Sequence, residues 1–189
     1  LANKAHGDDP IERRRVMAKA CGRIGNLSEA VSLYREALDA EYRPEIATEL
    51  GLVLVALRQY PEARTLFEGA AMADADDDRA AAGLGLIELE EGRPEEAFEH
   101  FKTALDRNFD NEAVVGHLLE TAKELGRLGE AEPYLRRFVD FYPGNADMAC
   151  RHVQLLQGLG QQAEARERLE MLLLLFPDDP GVRALQETL

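Results

Sequence analysis

The sequence predicts an all-α fold, a solenoid of about five helix-turn-helix repeats. A Glu-Ala pair recurs with its alanine at intervals of 33, 34, 34 and 34 residues, and a fixed period in this range indicates one structural element repeated along the chain. Strand signals are nearly absent, because no run of residues sustains an alternation with β-branched side chains. The five pairs are Glu29-Ala30, Glu62-Ala63, Glu96-Ala97, Glu130-Ala131 and Glu164-Ala165.

Each pair lies early in the second helix of its repeat. The residues four and seven positions after the alanine are apolar, which places them on one stripe of a helix. Pro61 and Pro94 stand where the first turn of a helix tolerates proline. The residue five positions before the alanine marks a tight turn, and glycine, which admits left-handed backbone angles, is found there in four of five repeats. These turn residues are Gly25, Arg58, Gly92, Gly126 and Gly160.

The first helix of each of the first three repeats carries a small residue at an equivalent position. Ala18, Gly51 and Gly85 each lie 12 residues before the alanine of a Glu-Ala pair. A glycine inside a helix costs roughly 1 kcal/mol relative to alanine, so we expect another helix to approach closely there. The segment Gly83-Leu84-Gly85 is not interpreted as a phosphate-binding loop, because no strand precedes it and no Lys-Ser/Thr follows it.

Together these positions resemble the tetratricopeptide repeat (TPR), a helix-turn-helix of about 34 residues with a small residue in each helix and an aromatic residue in the second. The similarity covers about residues 11 to 177. The chain departs from the pattern in having no tryptophan, in placing Glu88 at a usually apolar position and in placing His152 where leucine is usual. The resemblance implies a right-handed α-solenoid. The best matches are Leu50-Gly51, Ala63, Phe67 and Ala70 in the second repeat and Leu84-Gly85, Ala97, Phe101 and Ala104 in the third.

The period divides the chain into a tail, five repeats and a cap. Residues 1–10 are the predicted tail, and residues 180–189 are the predicted C-terminal capping helix, which Asp179 and Pro180 begin as N-cap and first helical residue. A terminal repeat needs such a cover, and its apolar stripe is Val182, Leu185 and Leu189. The predicted repeats within residues 11–179 are 11–43, 44–77, 78–111, 112–145 and 146–179.

The charge of the chain is strongly negative and uneven. The formal net charge is −14, which argues against nucleic acid as a partner, because that binding needs phosphates to be neutralised by Lys and Arg. Residues 1–25 carry six basic and three acidic side chains, a sum of +3, which leaves −17 on the remaining residues. The basic side chains are interpreted either as a solvated helix face or as an anchor for an acidic segment of a ligand.

Membrane insertion and a disulfide are not expected. The longest apolar run, Met171 to Phe176, is too short to span a bilayer and is expected to be buried in a second helix. Cys21 and Cys150 lie in the first and fifth repeats, too far apart in a solenoid for a disulfide. We therefore expect two free thiols, which favour the cytoplasm over the periplasm.

No cluster of residues points to catalysis, a metal or a cofactor. Asp74, Asp76 and Asp78 have the spacing that opens an EF-hand calcium loop. The match then fails, because Arg79 replaces the required glycine and Gly85 the closing glutamate. Aspartates at this junction are better explained as caps of the next helix. The four histidines are dispersed and no Cys/His group has zinc-ligand spacing, so we expect no enzyme activity, no metal and no cofactor.

The predicted partner-binding site is the concave groove that the first helices line in TPR-like stacks. Helical phase gives this groove a basic end, an apolar middle of the kind that marks a partner site, and a mixed end. An alternative is that the apolar residues pack within the groove or against an absent segment. The groove residues are Arg15, Lys19 and Arg23 at the basic end, Glu49, Leu52, Val55, Leu86 and Leu89 in the middle, and His117, Lys123 and Arg151 at the mixed end.

The predicted function is protein binding, by a non-enzymatic scaffold or adaptor that takes a partner peptide or helix in the groove. The basic end lacks the asparagine that accompanies lysine in the TPR clamps for chaperone C-termini, so that ligand is not expected. Two alternatives keep the fold. One is a homo-oligomeric scaffold in which residues 1–10 of one copy enter the groove of another, and the other is the recognition domain of a larger enzyme or of a secretion or assembly factor.

Overall fold

The computed structural model describes residues 9–186, which form eleven α-helices and no strand. The chain divides into two compact halves, an N-terminal half of residues 1–107 and a C-terminal half of residues 108–189. Residues 1–8 of the predicted tail, and Leu189 of the predicted capping stripe, lie outside the described residues. The helices are α1 Pro10–Arg23, α2 Leu27–Ala40, α3 Pro44–Ala56, α4 Tyr60–Ala73, α5 Asp78–Glu90, α6 Pro94–Arg107, α7 Glu112–Leu125, α8 Leu128–Phe141, α9 Ala146–Gly158, α10 Gln162–Leu175 and α11 Pro180–Gln186.

A tight turn separates the two helices of each pair, and its backbone explains the recurring glycine. The turn residue has a left-handed conformation, which glycine adopts without steric cost. Arg58 adopts the same conformation, with a φ of 58°, and the N–H of Gln59 donates to the carbonyl of Leu54 at 2.8 Å, as in a Schellman motif. The predicted turns are therefore confirmed. The glycines and their φ values are Gly25 at 81°, Gly92 at 74°, Gly126 at 69° and Gly160 at 75°.

Aromatic rings of the second helices fill the space that glycines of the first helices leave open. A Cβ atom added to Gly51 would lie 2.6 Å from the Phe67 ring, and one added to Gly83 would lie 2.3 Å from the same ring. A Cβ atom added to Gly85 would lie 2.6 Å from the Phe101 ring. Both rings are fully buried. The close approach expected at Gly51 and Gly85 is thus confirmed, and an aromatic side chain makes it.

One aspartate between α4 and α5, Asp77, caps the next helix. One carboxylate oxygen of Asp77 accepts hydrogen bonds from the backbone N–H groups of Arg79 and Ala80, at 2.9 and 3.0 Å. The other oxygen accepts a hydrogen bond from the buried hydroxyl of Thr48 on α3, at 2.7 Å. This cap therefore stabilises the start of α5 and also joins α5 to the first helix of the preceding pair.

The core of the C-terminal half lies between α7, α8, α9 and α10, with Leu118, Leu135, Met148 and Leu156 fully buried. The short helix α11 packs against α9 and α10 and buries Val182 and Leu185. Asp179 accepts hydrogen bonds from the N–H groups of Gly181 and Val182, at 2.8 and 3.0 Å. The side chain of Asp179 therefore caps α11 in the way that the sequence predicts.

The burial expected for the apolar run at the end of α10 is wrong for most of its residues. Leu172 is buried, but Met171, Leu174 and Leu175 are 46%, 83% and 58% exposed. Consecutive residues of a helix point in directions about 100° apart, so a continuous apolar run cannot all face one core. The buried stripe of α10 is Ala165, Leu169 and Leu172. Met171, Leu174 and Leu175 lie outside this stripe and are exposed to solvent.

Candidate partner-binding surfaces

The first helices α1, α3 and α5 bring together one surface of the N-terminal half. Lys19, Leu52 and Leu86 occupy equivalent positions of these three helices, 33 and 34 residues apart. Lys19 is exposed, and the two leucines are half-buried. Helix α3 packs against α5, so the two leucines belong to neighbouring helices. The predicted groove residues from Arg15 to Leu89 lie on these three helices, and we call the surface that they are expected to form the α1–α3–α5 face.

A buried carboxylate organises the basic end of this face. Glu49 of α3 is only 3% exposed and accepts two hydrogen bonds from Arg15 of α1, at 3.0 and 2.8 Å. The Nζ atom of Lys19 lies 2.8 Å from the same carboxylate, and Nη1 of Arg79 on α5 lies 3.6 Å from it. Glu12 of α1 adds a second carboxylate beside Arg15, at 3.3 Å. We call Glu49, Arg15, Lys19 and Arg79 the Glu49 cluster.

The protonation of this cluster follows from its contacts. Burial alone would raise the pKa of Glu49, but hydrogen bonds from Arg15 and Lys19 outweigh it and hold that pKa below its ordinary value. The hydrogen bond with Glu49 raises the pKa of Arg15. Three cations therefore surround one ionised carboxylate. The positive charge of Arg15 and Lys19 is partly neutralised by the chain itself, which the sequence did not predict, and Arg23 is exposed further along α1.

The apolar middle of the face is partly accessible. Leu52, Val55, Leu86 and Leu89 are all half-buried rather than exposed. Leu52 and Val55 also pack against the hydrophobic core of the N-terminal half. Leu52 and Val55 therefore contribute to packing, and all four side chains keep a solvent-accessible part.

A second buried carboxylate lies on α5. Glu88 is 4% exposed, and Nη1 of Arg64 on α4 lies 2.6 Å from its Oε1 atom. Arg93 also donates to Glu88, and both arginines pair with Glu91. Hydrogen bonds from these arginines outweigh the opposing effect of burial and lower the pKa of Glu88. Two arginines therefore explain why a glutamate is tolerated at this usually apolar position. The sequence alone did not reveal that these arginines pair with Glu88.

In the C-terminal half, the predicted residues Lys123 and Arg151 line one cleft of about 580 Å³ between α7, α9 and α11. Glu120, Cys150 and Gln154 line the same cleft. Arg151 pairs with Asp147 at 3.0 Å, so the cleft carries both signs of charge. His117 lies exposed on α7 and is not among the residues that line the cleft. The structure therefore brings together two of the three residues predicted for this end of the groove.

The two cysteines are partly buried and His152 is fully buried. No group of three His, Cys, Asp or Glu residues in residues 9–186 could hold a metal ion. Cys21 and Cys150 are free, and burial raises the pKa of the Cys150 thiol, which disfavours the nucleophilic thiolate. The buried His152 contacts Glu132 at 2.9 Å and burial lowers its pKa. Of the helices in this part of the chain, none is long and apolar enough to cross a membrane.

Comparison with family models identifies the class of protein. One tetratricopeptide repeat model matches residues 48–113, and a second matches residues 88–149 and 122–189. The chain therefore belongs to the tetratricopeptide repeat family, and the all-α repeat fold predicted from the sequence is confirmed. Proteins of this family generally mediate protein–protein interactions, and their fold is typically a non-enzymatic scaffold. A comparison of the sequence with curated proteins gives no match.

Solved structures of TPR proteins share the fold at low sequence identity. YrrB, described as a TPR protein with an unusual peptide-binding site, is 20% identical over 95% of this chain and 92% of its own, with a TM-score of 0.63. The pilF protein of Pseudomonas aeruginosa is 19% identical over 95% of this chain and 82% of its own, with a TM-score of 0.69. MamA is 15% identical over 89% of this chain and 92% of its own, with a TM-score of 0.66.

Proposed function

We propose that this chain is a non-enzymatic scaffold or adaptor that binds a peptide or helix of a partner protein on the α1–α3–α5 face. The observation that supports the proposal is that three helices joined through Glu49 each keep an accessible side chain at an equivalent position, namely Lys19, Leu52 and Leu86. Side chains on rigid helices are positioned more accurately than side chains on loops. The Glu49 cluster supports this rigidity by joining α1, α3 and α5 through one carboxylate.

The chemistry of the face indicates the chemistry of the partner. Leu52 and Leu86 favour apolar side chains, because their accessible surface is removed from water when a partner covers it. Lys19 and Arg79 have side chains that are 43% and 41% exposed. Their two positive charges exceed the single negative charge of Glu49. A partner segment that places an acidic residue beside the Glu49 cluster and apolar residues beyond it would match both features.

The cleft of the C-terminal half is proposed as a further contact for the same class of partner. Lys123 and Arg151 lie beside Glu120 and Asp147, so this cleft favours polar segments with both donors and acceptors. A larger partner protein that contacts each half with a separate segment would gain affinity from this cleft as well as from the α1–α3–α5 face. The description of YrrB as a peptide-binding TPR protein supports this class of ligand by analogy of fold.

The test uses a peptide selected against the wild-type chain from a displayed library of random peptides. We expect the double variant Leu52→Asp with Leu86→Asp to lower the affinity for this peptide at least about 30-fold, because two central apolar contacts are replaced by charge. Isothermal titration calorimetry measures the affinity, and thermal unfolding followed by circular dichroism shows whether the fold is kept. If the aspartates unfold the chain, the milder pair Leu52→Ser with Leu86→Ser replaces them.

The matched control is Met72→Asp with Ala75→Asp, which adds the same charge at two exposed positions outside the face. This control is expected to bind the peptide like the wild type. Equal affinity of the folded Leu52/Leu86 variant and the wild type would place the binding site elsewhere.

A further inference from the structure

We propose that the C-terminal half carries a second interaction surface, a cleft at the end of α8 that receives an arginine side chain of a partner protein. This surface is independent of the α1–α3–α5 face, because it uses other helices and has the opposite charge. It begins with large aromatic side chains that lie together in contact with solvent. Scattered single apolar residues are normal on a protein surface, but a contiguous exposed group of them indicates a contact site.

Four aromatic rings meet where α8 ends. The ring of Phe141 packs edge to face against that of Phe109, with centroids 5.0 Å apart, and its centroid lies 4.9 Å from that of Tyr142. Tyr142 also contacts Phe138, at 5.0 Å. Phe138 is buried and anchors the group, whereas Phe141 is 62% exposed, and Phe109 and Tyr142 are half-buried. We call these four residues the aromatic cluster.

A cleft of about 620 Å³ opens beside three rings of the aromatic cluster. Phe138, Phe141 and Tyr142 line it together with the loop that connects α8 to α9. Two exposed carboxylates at the start of α7, Asp110 and Glu112, complete the lining. None of the described residues that line this cleft is Lys, Arg or His. The cleft, which we call the α8-end cleft, therefore combines aromatic rings with negative charge.

The two carboxylates of the α8-end cleft have neutral partners. Asp110 accepts a hydrogen bond from the hydroxyl of Tyr142 at 3.2 Å, and Glu112 accepts one from the side-chain amide of Asn145 at 3.0 Å. Burial and the hydrogen bond to Asp110 raise the pKa of the Tyr142 hydroxyl, which keeps it protonated as a donor. Among residues 9–186, no Lys or Arg forms an ion pair with either carboxylate. Their charge is therefore left to a cation from outside the chain.

The equivalent junction one repeat earlier contains a cation of the chain itself. The residue 34 positions before Phe141 is Arg107, and its Nη1 atom donates to the carbonyl of Asp77 at 3.0 Å. That junction also carries two carboxylates at the positions equivalent to those of the α8-end cleft, Asp76 and Asp78. At the later junction the acidic residues are kept, but an exposed aromatic ring replaces the arginine. The repeats thus indicate both the place and the chemistry of the missing group.

The aromatic cluster already takes one guanidinium of the chain. The guanidinium carbon of Arg137 lies 4.2 Å from the centroid of the Phe109 ring, within the distance of about 6 Å for a cation–π contact. Arg137 lines a separate cleft with Phe109 and Phe141, so it leaves the α8-end cleft open. A planar guanidinium stacks on a ring and donates two hydrogen bonds to one carboxylate, whereas a lysine ammonium acts as a point charge. Arginine is therefore the side chain that matches rings and carboxylates together.

An NMR titration tests the α8-end cleft with a probe of defined chemistry. The probe is the peptide Gly-Arg-Gly-Arg-Gly with blocked ends, added to the isotope-labelled full chain, and a second probe has lysine in place of both arginines. We expect saturable shifts of the backbone amides of Phe141, Tyr142 and Gly144, with a dissociation constant of roughly 1 mM. The lysine peptide should bind at least about 3-fold more weakly, because an ammonium group lacks the planar stacking and the paired hydrogen bonds.

The test variant is Asp110→Asn with Phe141→Leu, which removes one charge and one aromatic ring but keeps most of the volume of both side chains. We expect its affinity for the arginine peptide to fall at least about 10-fold. The matched control is Asp39→Asn with Met72→Ala, which removes one charge and shortens one apolar side chain at exposed positions of the N-terminal half. This control is expected to bind like the wild type. Circular dichroism checks each fold, and Asp110→Asn alone, with an expected loss of at least about 3-fold, replaces a double variant that unfolds.

Three outcomes would overturn the proposal. The first is a wild-type chain whose amides at the α8-end cleft show no saturable shift with the arginine peptide. The second is equal affinity for the arginine and lysine peptides, which would show general attraction of positive charge to an acidic chain. The third is a folded test variant that binds the arginine peptide as tightly as the matched control.

Discussion

At the scale of single residues, the glycines of the first helices are packing positions for aromatic rings. Phe67 lies against both Gly51 and Gly83, which belong to α3 and α5, so one ring fills space beside two successive first helices. The sequence predicted a close approach from the cost of a glycine in a helix, but it did not identify the ring that approaches. The helix-destabilising effect of these glycines is therefore offset by burial of a large aromatic side chain between the helices.

The substitution Gly85→Ala tests this packing. A Cβ atom at this position would lie 2.6 Å from the Phe101 ring, so the ring or the helix must shift, and we expect a loss of about 1–3 kcal/mol in the free energy of unfolding. Urea denaturation measures the change. The control is Gly116→Ala on α7, where a Cβ atom meets nothing within 4 Å and stability should rise by about 0.5–1 kcal/mol. An unchanged or increased stability of Gly85→Ala would contradict the packing role.

The substitution Arg58→Gly tests the turn between α3 and α4. Arg58 adopts the left-handed conformation that glycine adopts in the other four turns, at a cost of roughly 1–2 kcal/mol for a residue with a side chain. We expect Arg58→Gly to raise the free energy of unfolding by about 1 kcal/mol, because glycine relieves the backbone strain of the folded state. The greater conformational entropy that glycine gives the unfolded chain offsets part of this gain. The reverse change, Gly92→Arg, should lower it. Denaturation of both variants gives the comparison, and a destabilised Arg58→Gly would show that the Arg58 side chain contributes more than its strain costs.

At the scale of elements, two buried carboxylates join helices by ion pairs in addition to hydrophobic packing. Glu49 connects α3 to α1 and α5, and Glu88 connects α5 to α4. A buried carboxylate without partners would be costly, and each of these has at least two cationic partners. Neither network follows from the 34-residue period, because Glu49 and Glu88 themselves occupy positions at which no other repeat has a carboxylate.

The substitution Glu49→Gln tests the first of these networks. The amide keeps the shape of the side chain but removes the charge that Arg15, Lys19 and Arg79 surround. At neutral pH we expect a loss of about 1–3 kcal/mol in the free energy of unfolding. This loss is smaller than that for breaking a fully buried ion pair, because the three cations are partly exposed. The exposed Glu45→Gln on the same helix is the control and should change little.

The contribution of the Glu49 carboxylate to the free energy of unfolding should decrease at acidic pH. Because the folded pKa of Glu49 is lowered from 4.5, its stabilisation is complete above that value and is lost as the pH falls through the folded pKa. The difference in stability between the wild type and Glu49→Gln should therefore narrow below pH 4.5. A difference that stays constant as the carboxylate becomes protonated would show that its charge does not stabilise the fold.

At the scale of the whole molecule, periodicity predicted most of the fold because it records features that every repeat shares. The turn glycines, the packing alanines and the cap at Asp179 all follow from local backbone requirements that a sequence displays directly. The exposure of Met171 and Leu174 was missed, because an apolar run by itself does not show where a helix surface meets its core. Pairing across helices was also missed for Glu49 and Glu88.

The candidate surfaces were predicted less completely than the fold. Helical phase assigned Leu52 and Leu86 to equivalent positions of two first helices, and both residues are half-buried there, since phase is a local property. It did not show that Arg15 and Lys19 are engaged by Glu49, because ion pairing depends on distances between different helices. In the C-terminal half, phase grouped Lys123 and Arg151, which share a cleft, with His117, which does not line it.

Site-specific photocrosslinking tests directly whether a partner peptide binds the α1–α3–α5 face. The photoreactive residue p-benzoylphenylalanine replaces Leu86 in one variant and Met72, an 89% exposed residue of α4, in another. Each variant is irradiated with the labelled peptide selected against the wild type. We expect a covalent adduct at position 86 and little or none at position 72. An adduct at position 72 with none at position 86 would contradict this expectation.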